Sequence, residues 1–308
     1  MDLDLYDIDG FDDPKELLGD DFYNYDKFCD WLDIADEEDD GGLQSLIDAK
    51  DVFDDYEYSH HSKIMQVKIN QVKNKYNMKA IIDADSLIFS SCYNVANLYE
   101  ATEKFNRALD SIYKDLSEFC VISEYIICSG GDNKLRRAIN PAYKMNRTQE
   151  KPTYLSDLHK EVKNSYESNY VDGYETDDVV ASIWKQECDL NGEDSVIIVA
   201  NDKDYKQFPC WYFDTYYKRR TLDKIEPFEA DYNFYTQMIV GDVADNIKYF
   251  RGKGKAYAKK RFQGIHTTYG LFRSVYCLFL EEFGDEAKDK FKECYSLLRL
   301  RTDIFKNK

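Results

Sequence analysis

The sequence has few of the residues that bind zinc and none of the cysteine patterns that form a disulfide framework. Its 308 residues include four His, and its eight Cys form no Cys-x-x-Cys pair and follow no regular spacing. This composition argues against a zinc site, and reduced thiols in a cytosolic protein are the simplest account of it. No apolar run reaches membrane-spanning length, and no signal peptide opens the chain. We therefore expect a protein without a membrane partner, in the cytoplasm (the host cytoplasm if it is viral).

Negative charge is concentrated at the start of the chain. Residues 1–62 contain 22 acids and three Lys, a net charge of −19, whereas the remaining residues contain 37 acids and 38 bases, a net charge of +1. The same segment carries aromatic residues such as Phe28 and Trp31, which disordered chains usually lack. Two interpretations stay open: a solubilising tail, or an arm that docks on a replication protein or on the basic groove of its own body as a nucleic-acid mimic.

Short apolar segments alternate with helical periodicity in the rest of the chain. We predict strands over residues 78–85, 125–128, 195–200 and 211–213, with a helical stretch over 86–120 and helices from 233 to the C-terminus. Such alternation is typical of an α/β fold with a parallel sheet, in which the carboxyl ends of the strands meet at one edge.

Acidic residues cluster where strands end and helices begin. The clusters are Asp83 and Asp85, Glu175 with Asp177 and Asp178, Asp202 and Asp204, and Asp242 with Asp245. Carboxylates that converge on one edge repel one another unless cations lie among them. An all-oxygen set without His or Cys suits Mg²⁺ or Mn²⁺, and two such ions about 4 Å apart can promote phosphodiester cleavage.

One of these clusters opens a predicted helix. Val180, Ile183 and Trp184 have the spacing of a buried helical face. Because Asp177 precedes Val180 by three residues, we expect it to be the inward acid, with Glu175 and Asp178 sharing a side. The alternative is an acidic first turn that is favoured by the helix dipole alone.

Basic residues are dense between the second strand and this helix, in a segment interrupted by Pro141 and Pro152. Long, broken segments between sheet elements often cover an active site. Two interpretations stay open, a solvated surface insertion or a lid that grips phosphate. The basic residues are Lys134, Arg136, Arg137, Lys144, Arg147, Lys151, Lys160 and Lys163.

Three of the acidic motifs resemble those of the 5′-nucleases, the family of flap endonucleases and of the 5′→3′ exonucleases of phages and bacterial DNA polymerase I. They are Gly-Tyr-Glu-Thr-Asp-Asp at 173–178, Asn-Asp-Lys-Asp at 201–204 and Gly-Asp-Val-Ala-Asp-Asn at 241–246. Tyr-Lys-Met-Asn-Arg at 143–147 resembles the family's helical-arch segment, and Gly-Lys-Gly-Lys at 252–255 resembles its glycine hairpin. The resemblance covers roughly residues 78–265 and is nearest to the short bacteriophage exonucleases.

The resemblance implies a PIN-like parallel-sheet nuclease core with a helical arch, followed by a helical helix-three-turn-helix DNA-binding region. The implied domains are an acidic extension and linker over 1–77, the core over 78–232 with its arch at about 132–170, and the helical region over 233–308. The implied activity is hydrolysis at the 5′ ends or flaps of duplex DNA, or of RNA primers, with a 5′-phosphate product. The implied cofactors are two Mg²⁺ or Mn²⁺ ions and one K⁺ at the glycine hairpin.

The resemblance also assigns roles to individual residues. Lys144 and Arg147 would hold the scissile phosphate. The implied DNA contacts are Arg136, Arg137, Gly252, Gly254, Lys255 and Lys259. The implied metal ligands are Asp83, Glu175, Asp177, Asp178, Asp202, Asp204, Asp242 and Asp245.

The chain departs from the family at the end of the second strand, where the family often has an Asp. Here the sequence reads Ser-Gly-Gly at 129–131, and the nearest acid is Asp132. Either Asp132 substitutes as a metal ligand or the ligand is absent, and Asp85 is either an outer acid of the site or a helix N-cap. Two other functions remain open. One is a catalytically weak protein of the same fold that binds DNA structures. The other is a ribonuclease of the smaller PIN class, against which the hairpin segment 241–261 argues.

Overall fold

The structure is a computed structural model, and it describes residues 77–148, 150–216 and 220–305. The predicted acidic extension at 1–62 and nearly all of the predicted linker lie outside these residues. In the part of the chain that is described, no helix combines the length and apolar character needed to cross a membrane.

The core is a five-stranded sheet. Its strands are β1 (Asn77–Asp83), β2 (Val121–Cys128), β3 (Val196–Ala200), β4 (Trp211–Asp214) and β5 (Leu222–Lys224), in the spatial order β2-β1-β3-β4-β5. The first four are parallel to their neighbours, whereas β5 is antiparallel to β4. The predicted α/β core with a parallel sheet is confirmed. The short strand β5 was not predicted, because three residues are too few for an alternating pattern to be recognised.

Helices flank the sheet and continue beyond it. They are α1 (Asp85–Ser91), α2 (Leu98–Phe119), α3 (Lys134–Ile139), α4 (Leu155–Tyr166), α5 (Thr176–Asn191), α6 (Pro227–Val240), α7 (Lys255–Arg261), α8 (Thr268–Phe283) and α9 (Ala287–Leu298). The prediction of one helical stretch over 86–120 was wrong, because the chain turns between α1 and α2. Asn97 begins α2 by accepting a 2.9 Å hydrogen bond from the Glu100 amide, as an N-cap residue does.

The two faces of the sheet bury different helices, because neighbouring residues of a strand point to opposite sides. Ile82 and Val199 belong to a cluster with residues of α2 and α4, such as Phe105 and Leu158. On the other face, Trp184 of α5 belongs to a second cluster, with Ile81 and Ile198. All five residues of β3 are buried, as is expected of a strand that is covered on both faces.

A separate aromatic core holds the C-terminal helices together. Phe234 of α6, Phe272 and Phe279 of α8 and Phe291 of α9 belong to one buried cluster, which also takes in Tyr143 from the basic segment. The predicted helical C-terminal region is therefore confirmed as far as Leu298. Beyond Leu298 the described chain is not helical, in contrast to the prediction of helix to the C-terminus.

Candidate active site

The parallel strands bring the predicted acids of the sheet to one edge. Asp83 is the last residue of β1, and Asp202 and Asp204 follow the carboxyl end of β3. Asp202 caps a 3₁₀ helix over Lys203–Gln207 by accepting a 2.9 Å hydrogen bond from the Asp204 amide. Glu175 is the N-cap residue of α5. This arrangement follows from the topology, since every parallel strand ends on the same side.

A buried tyrosine lies among these acids. The Tyr205 hydroxyl donates a 2.7 Å hydrogen bond to Oδ2 of Asp83, and the Tyr205 side chain is fully buried. Burial, together with the negative charges of Asp83, Asp177 and Asp202, raises the pKa of Tyr205 well above its usual range. Tyr205 therefore stays protonated and can only donate to Asp83. Sequence reasoning missed this residue, because a Tyr inside an acidic motif reads as an ordinary core residue.

Three carboxyl groups at this edge hold their protons more tightly than usual. Burial and the nearby charge of Asp85 raise the pKa of Asp83 to about 7. Burial and the charge of Asp202 raise the pKa of Asp204 to about 6. Burial also raises the pKa of Asp177 well above its usual range, although Arg136 opposes this shift. These groups lack sufficient positive charge, which is the condition that favours a bound cation.

Other acids of the site are neutralised by cations of the chain. Glu175 forms an ion pair with Lys144, and Asp245 pairs with Arg147 at 2.5 Å. Although burial alone would raise the pKa of Glu175, Arg136 and Lys144 hold it below its usual range. Tyr143 links the two acids, because its hydroxyl lies 2.7 Å from Glu175 Oε2 and 2.8 Å from Asp245 Oδ2.

Lys203 joins the edge of the sheet to the helical region. Its ammonium lies 2.7 Å from Asp242 Oδ2 and 3.3 Å from Asp204 Oδ1. Although burial would raise the pKa of Asp242, Lys203 lowers it. A tight loop holds Asp242 in place, since its Oδ1 accepts a 2.8 Å hydrogen bond from the Ala244 amide. Gly241 starts this loop at φ +75°, and a Cβ there would lie 2.3 Å from the Ile247 carbonyl oxygen.

Asp178 and Arg136 form a buried pair, and this corrects two predictions. Arg136 is 5% exposed, so it does not lie on a DNA-facing surface. Its Nη1 and Nη2 donate to the two Asp178 oxygens at 2.6 and 2.8 Å, and Nη1 also donates to Glu175 at 2.8 Å. Asp178, not Asp177, is the most buried acid of the motif, at 2% exposure. Glu175 and Asp178 both bind Arg136, which agrees with the expectation that they share a side.

Asp132 is bound by donors from its own surroundings. Its carboxylate accepts hydrogen bonds from the amides of Lys134 and Gly173 and pairs with the Lys134 ammonium at 2.9 Å. It therefore closes a local turn, so the expectation that it substitutes as a ligand at this edge is not met. The residue at the strand end, Ser129, is buried, and its hydroxyl lies 3.0 Å from that of Ser168.

The Asp85 carboxylate binds the loop that follows β2. Its Oδ1 accepts a 2.9 Å hydrogen bond from the Gly130 amide, and its Oδ2 accepts a 2.7 Å bond from the Thr176 hydroxyl. The Thr176 hydroxyl in turn accepts from the Gly131 amide at 3.0 Å. A Cβ on Gly131 would lie 2.3 Å from the Thr176 amide nitrogen, so this close approach requires glycine. Asp85 is thus no N-cap, and it ties β1 and the loop after β2 to the start of α5.

Lys144 occupies an unusual backbone conformation beside the acids. Its φ is +56°, in the left-handed region, which costs a residue with a Cβ roughly 1 kcal/mol or more. A 2.9 Å hydrogen bond from the Lys144 amide to the Asp245 carbonyl oxygen holds this conformation. Asn146 adds a bond from its side-chain amide to the Val243 carbonyl at 2.6 Å. Strained residues that are held in this way are concentrated at functional sites.

The remaining predicted DNA contacts lie on the surface. Arg137 is exposed on α3, and Gly252 and Gly254 are exposed in the loop before α7. Gly252 has a φ of +74°, which favours glycine. Lys255 and Lys259 are exposed on α7, and no ion pair is found for either among the described residues.

The donor set at the edge fits a hard divalent cation, although it is not arranged as a closed shell. Within the described ranges, no three His, Cys, Asp or Glu side chains are placed together as ready ligands. The available donors are carboxylate oxygens, which Mg²⁺ and Mn²⁺ prefer. Asp83, Asp177 and Asp204 are carboxylates that lack enough counter-charge, as their raised pKa values show.

The family follows from sequence comparison. The profile of the N-terminal, resolvase-like domain of 5′-3′ exonucleases matches residues 78–231, which is half of the chain. The chain therefore belongs to the 5′-3′ exonuclease family, and the predicted resemblance is confirmed. No curated protein sequence matches the chain.

Solved structures with a similar fold include those of two proteins. One is a flap endonuclease of bacteriophage T5, in a pseudo-enzyme–product complex with DNA and metal ions. It has 18% identity and a TM-score of 0.49, over 71% of this chain and 98% of that one. The other is the catalytic core of Rad2 in complex with DNA substrate. It has 12% identity and a TM-score of 0.42, over 75% of each chain.

Proposed function

We propose that the protein is a metal-dependent 5′-nuclease that hydrolyses phosphodiester bonds at 5′ ends or flaps of duplex DNA and leaves a 5′-phosphate. RNA primers on DNA are a second substrate class. The observation that carries this proposal is the edge where nearby cations do not offset the burial of Asp83, Asp177 and Asp204, beside the cations Lys144 and Arg147. Membership of the 5′-3′ exonuclease family supports the 5′ polarity.

Divalent cations would be held by the carboxylates at the end of β1, at the start of α5 and after β3. The proposed ligands are Asp83, Asp177, Asp202 and Asp204, with Glu175, Asp242 and Asp245 completing the set. Two Mg²⁺ or Mn²⁺ ions bound there would supply an activated water and charge stabilisation for phosphodiester hydrolysis. Asp178 is left out because the buried Arg136 binds both of its oxygens, and Asp132 because it closes a turn with the amides of Lys134 and Gly173.

Lys144 and Arg147 would bind the scissile phosphate and stabilise its developing negative charge. Both lie beside the acids already, through their ion pairs with Glu175 and Asp245. A phosphate that enters the site can replace these carboxylates as the partner of the two cations, because it offers the same kind of anionic oxygen acceptors. The guanidinium of Arg147 also has the planar geometry that matches phosphate oxygens.

The duplex would lie along the exposed surface formed by Gly252, Gly254, Lys255 and Lys259. Lysines contact the DNA backbone without reading its sequence, which suits an enzyme that acts on ends. The backbone amides of the glycine loop would bind phosphates, and one K⁺ would bind at this loop. Arg137 on α3 would add a contact from the basic segment.

A cleavage assay with four labelled DNA substrates tests this proposal. Flap, gapped, blunt and RNA-primed duplexes are incubated with Mg²⁺ or with chelator, and products are sized against 5′-phosphorylated markers. We expect Mg²⁺-dependent cleavage from the 5′ side. Asp202→Ala should abolish it while leaving DNA binding largely intact. Full activity of Asp202→Ala would refute the metal assignment.

A second function, non-catalytic binding of DNA structures, is favoured by a different observation. Lys203, Lys144 and Arg147 neutralise Asp242, Glu175 and Asp245 without any added ion. A site that no longer binds metal ions would remain stable with these ion pairs. Tight binding to flaps with no Mg²⁺-stimulated cleavage of any of the four substrates would support this alternative. Preference for single-stranded RNA would instead support the PIN-type ribonuclease.

The acidic extension would act on the same basic surface. Its net charge of −19 is opposite in sign to that of Lys255 and Lys259, so it can compete with DNA in the groove. The alternative role is recruitment of a replication protein. Competition for the groove is salt-dependent, whereas recruitment leaves the DNA affinity of the isolated protein unchanged.

A further inference from the structure

The chain after helix α9 returns to the carboxylate edge. α9 ends at Leu298, and its last carbonyl groups need partners outside the helix. The Leu297 carbonyl oxygen accepts a 3.1 Å hydrogen bond from Arg136 Nε, and the Leu298 carbonyl oxygen accepts a 3.2 Å bond from Gln207 Nε2. Arg136 and Gln207 are 5% and 2% exposed, so both bonds are shielded from water.

The backbone beyond α9 then donates to the acidic motifs. The Leu300 amide donates to Gln207 Oε1 at 3.1 Å, and the Arg301 amide donates to Asp178 Oδ1 at 2.9 Å. The Arg301 carbonyl oxygen accepts a 2.9 Å bond from the Ser182 hydroxyl, one turn further along α5. The segment 297–301 therefore contacts both the first turns of α5 and the 3₁₀ helix that carries Asp204.

The guanidinium of Arg136 connects Asp178 to Glu175 at the carboxylate edge. Nη1 of Arg136 is shared between Asp178 and Glu175, at 2.6 and 2.8 Å. Glu175 also accepts from Tyr143 and pairs with Lys144. If Asp178 or the backbone behind it moves, Arg136 changes its position relative to Glu175 and the neighbouring Asp177. The segment 297–301 lies outside the matched family domain at 78–231.

We infer that the segment 297–301 is a positioning element of the nuclease site, and that Asp178 acts through Arg136 as a positioning residue. This inference rests on the proposed nuclease function. Outer partners that orient the ligands of a metal site typically change metal affinity or activity by about 10–100-fold when they are lost. The site is thus built jointly by the family domain and by the end of α9 with the residues that follow it.

Two substitutions test this role, one at each of the α5 residues that bind the Arg301 backbone. Asp178→Asn keeps an oxygen for the Arg301 amide but loses the charge that holds Arg136. Ser182→Ala removes the bond to the Arg301 carbonyl and leaves Asp178 untouched. The matched control is Ser91→Ala, because Ser91 is equally buried and its hydroxyl donates to the Leu87 carbonyl oxygen at 2.7 Å within α1.

Mn²⁺ titration calorimetry and steady-state cleavage are measured for each variant, well below its melting temperature. We expect Asp178→Asn to retain the wild-type number of bound Mn²⁺ ions, with affinity and kcat lowered about tenfold and KM for DNA unchanged. Ser182→Ala should also lower the Mn²⁺ affinity and kcat, whereas Ser91→Ala should change neither.

Loss of one bound Mn²⁺ in Asp178→Asn would overturn the inference, since it would make Asp178 a ligand. Equal behaviour of Ser182→Ala and Ser91→Ala would also overturn it. These results differ from failure of the proposed function, which would show as a wild-type protein that does not cleave DNA. An active wild type with unaffected variants refutes the positioning role alone.

Discussion

The hydroxyl of Tyr205 donates a 2.7 Å hydrogen bond to Oδ2 of Asp83, the acid at the end of the central strand β1. Tyr205 is completely buried, whereas Asp83 is half-buried. The bond stabilises the charged form of Asp83, against the burial and the Asp85 charge that raise its pKa to about 7. Tyr205 therefore influences how readily Asp83 loses its proton, which a carboxylate must do before it can bind a metal ion.

Tyr205→Phe is expected to change the pH dependence of cleavage. Without the hydroxyl, the pKa of Asp83 rises further, so a higher pH is needed to ionise it. The acidic limb of the profile of kcat/KM against pH should move to higher pH, with little change on the alkaline side. The control is Tyr166→Phe, which removes a hydroxyl that lies 2.8 Å from Asn106 Oδ1, away from the carboxylate edge. Superimposable profiles for Tyr205→Phe and wild type would contradict this role.

The stability of the metal-free protein should fall as pH rises. The pKa values of Asp83 and Asp204 are raised to about 7 and about 6 in the folded chain, above the value near 4 of an unfolded chain. The folded chain therefore binds more protons between about pH 4 and 7, and its free energy of unfolding decreases through that window. We expect a lower melting temperature in chelator at about pH 8 than at about pH 5.5, and recovery when Mg²⁺ is added at the higher pH.

Asp83→Asn provides the check on this assignment. The substitution removes one of the groups whose pKa is raised, so the melting temperature of the variant should depend less on pH in chelator. The added Mg²⁺ should also raise that melting temperature less than in wild type. An unchanged pH dependence would show that other groups govern the stability of the metal-free protein.

Removal of the cations of the basic segment should slow the chemical step. Lys144→Ala and Arg147→Ala should each lower the single-turnover rate by about 10²–10³-fold, as loss of one charge-stabilising donor typically does. Lys160→Ala is the matched control, since Lys160 is an exposed cation of the same segment that pairs with Asp157 at 3.1 Å. If all three variants lose similar activity, the effect is one of overall charge and not of phosphate contact.

Deletion of residues 1–62 tests the acidic extension. The deletion removes a net charge of −19. If this segment competes with DNA, the shortened protein should bind duplex DNA more tightly at low salt, and the difference should shrink as salt screens the charges. Equal salt-dependent binding by both proteins would discard the competition and leave recruitment of a replication protein as the role to test.

The sequence predicted the edge of the sheet well, because its geometry follows from one rule. Apolar runs identified β1 and β3, and a parallel sheet must bring Asp83, Asp202 and Asp204 to the same side. The helical face at Val180 and Trp184 was recognised for a similar reason, since period and burial agree.

The contacts that decide the role of each charged residue could not be predicted. Arg136 and Arg137 are adjacent in sequence, yet one is buried against Asp178 and the other is exposed. The choice depends on where α9 ends, because the Leu297 carbonyl oxygen lies against Arg136. The sequence left open whether Asp132 replaces the missing ligand after β2, because it does not show that the nearby Lys134 and the Gly173 amide engage this carboxylate in a turn.

The bond between the Arg301 amide and Asp178 joins residues that are 123 positions apart. During synthesis, a nascent chain that has not yet released Arg301 from the ribosome lacks this contact, even when β1, β3 and α5 are already outside. Contacts of long sequence separation form late in folding, after shorter loops have closed. The site would therefore reach its final geometry only after nearly all of the described chain has been translated.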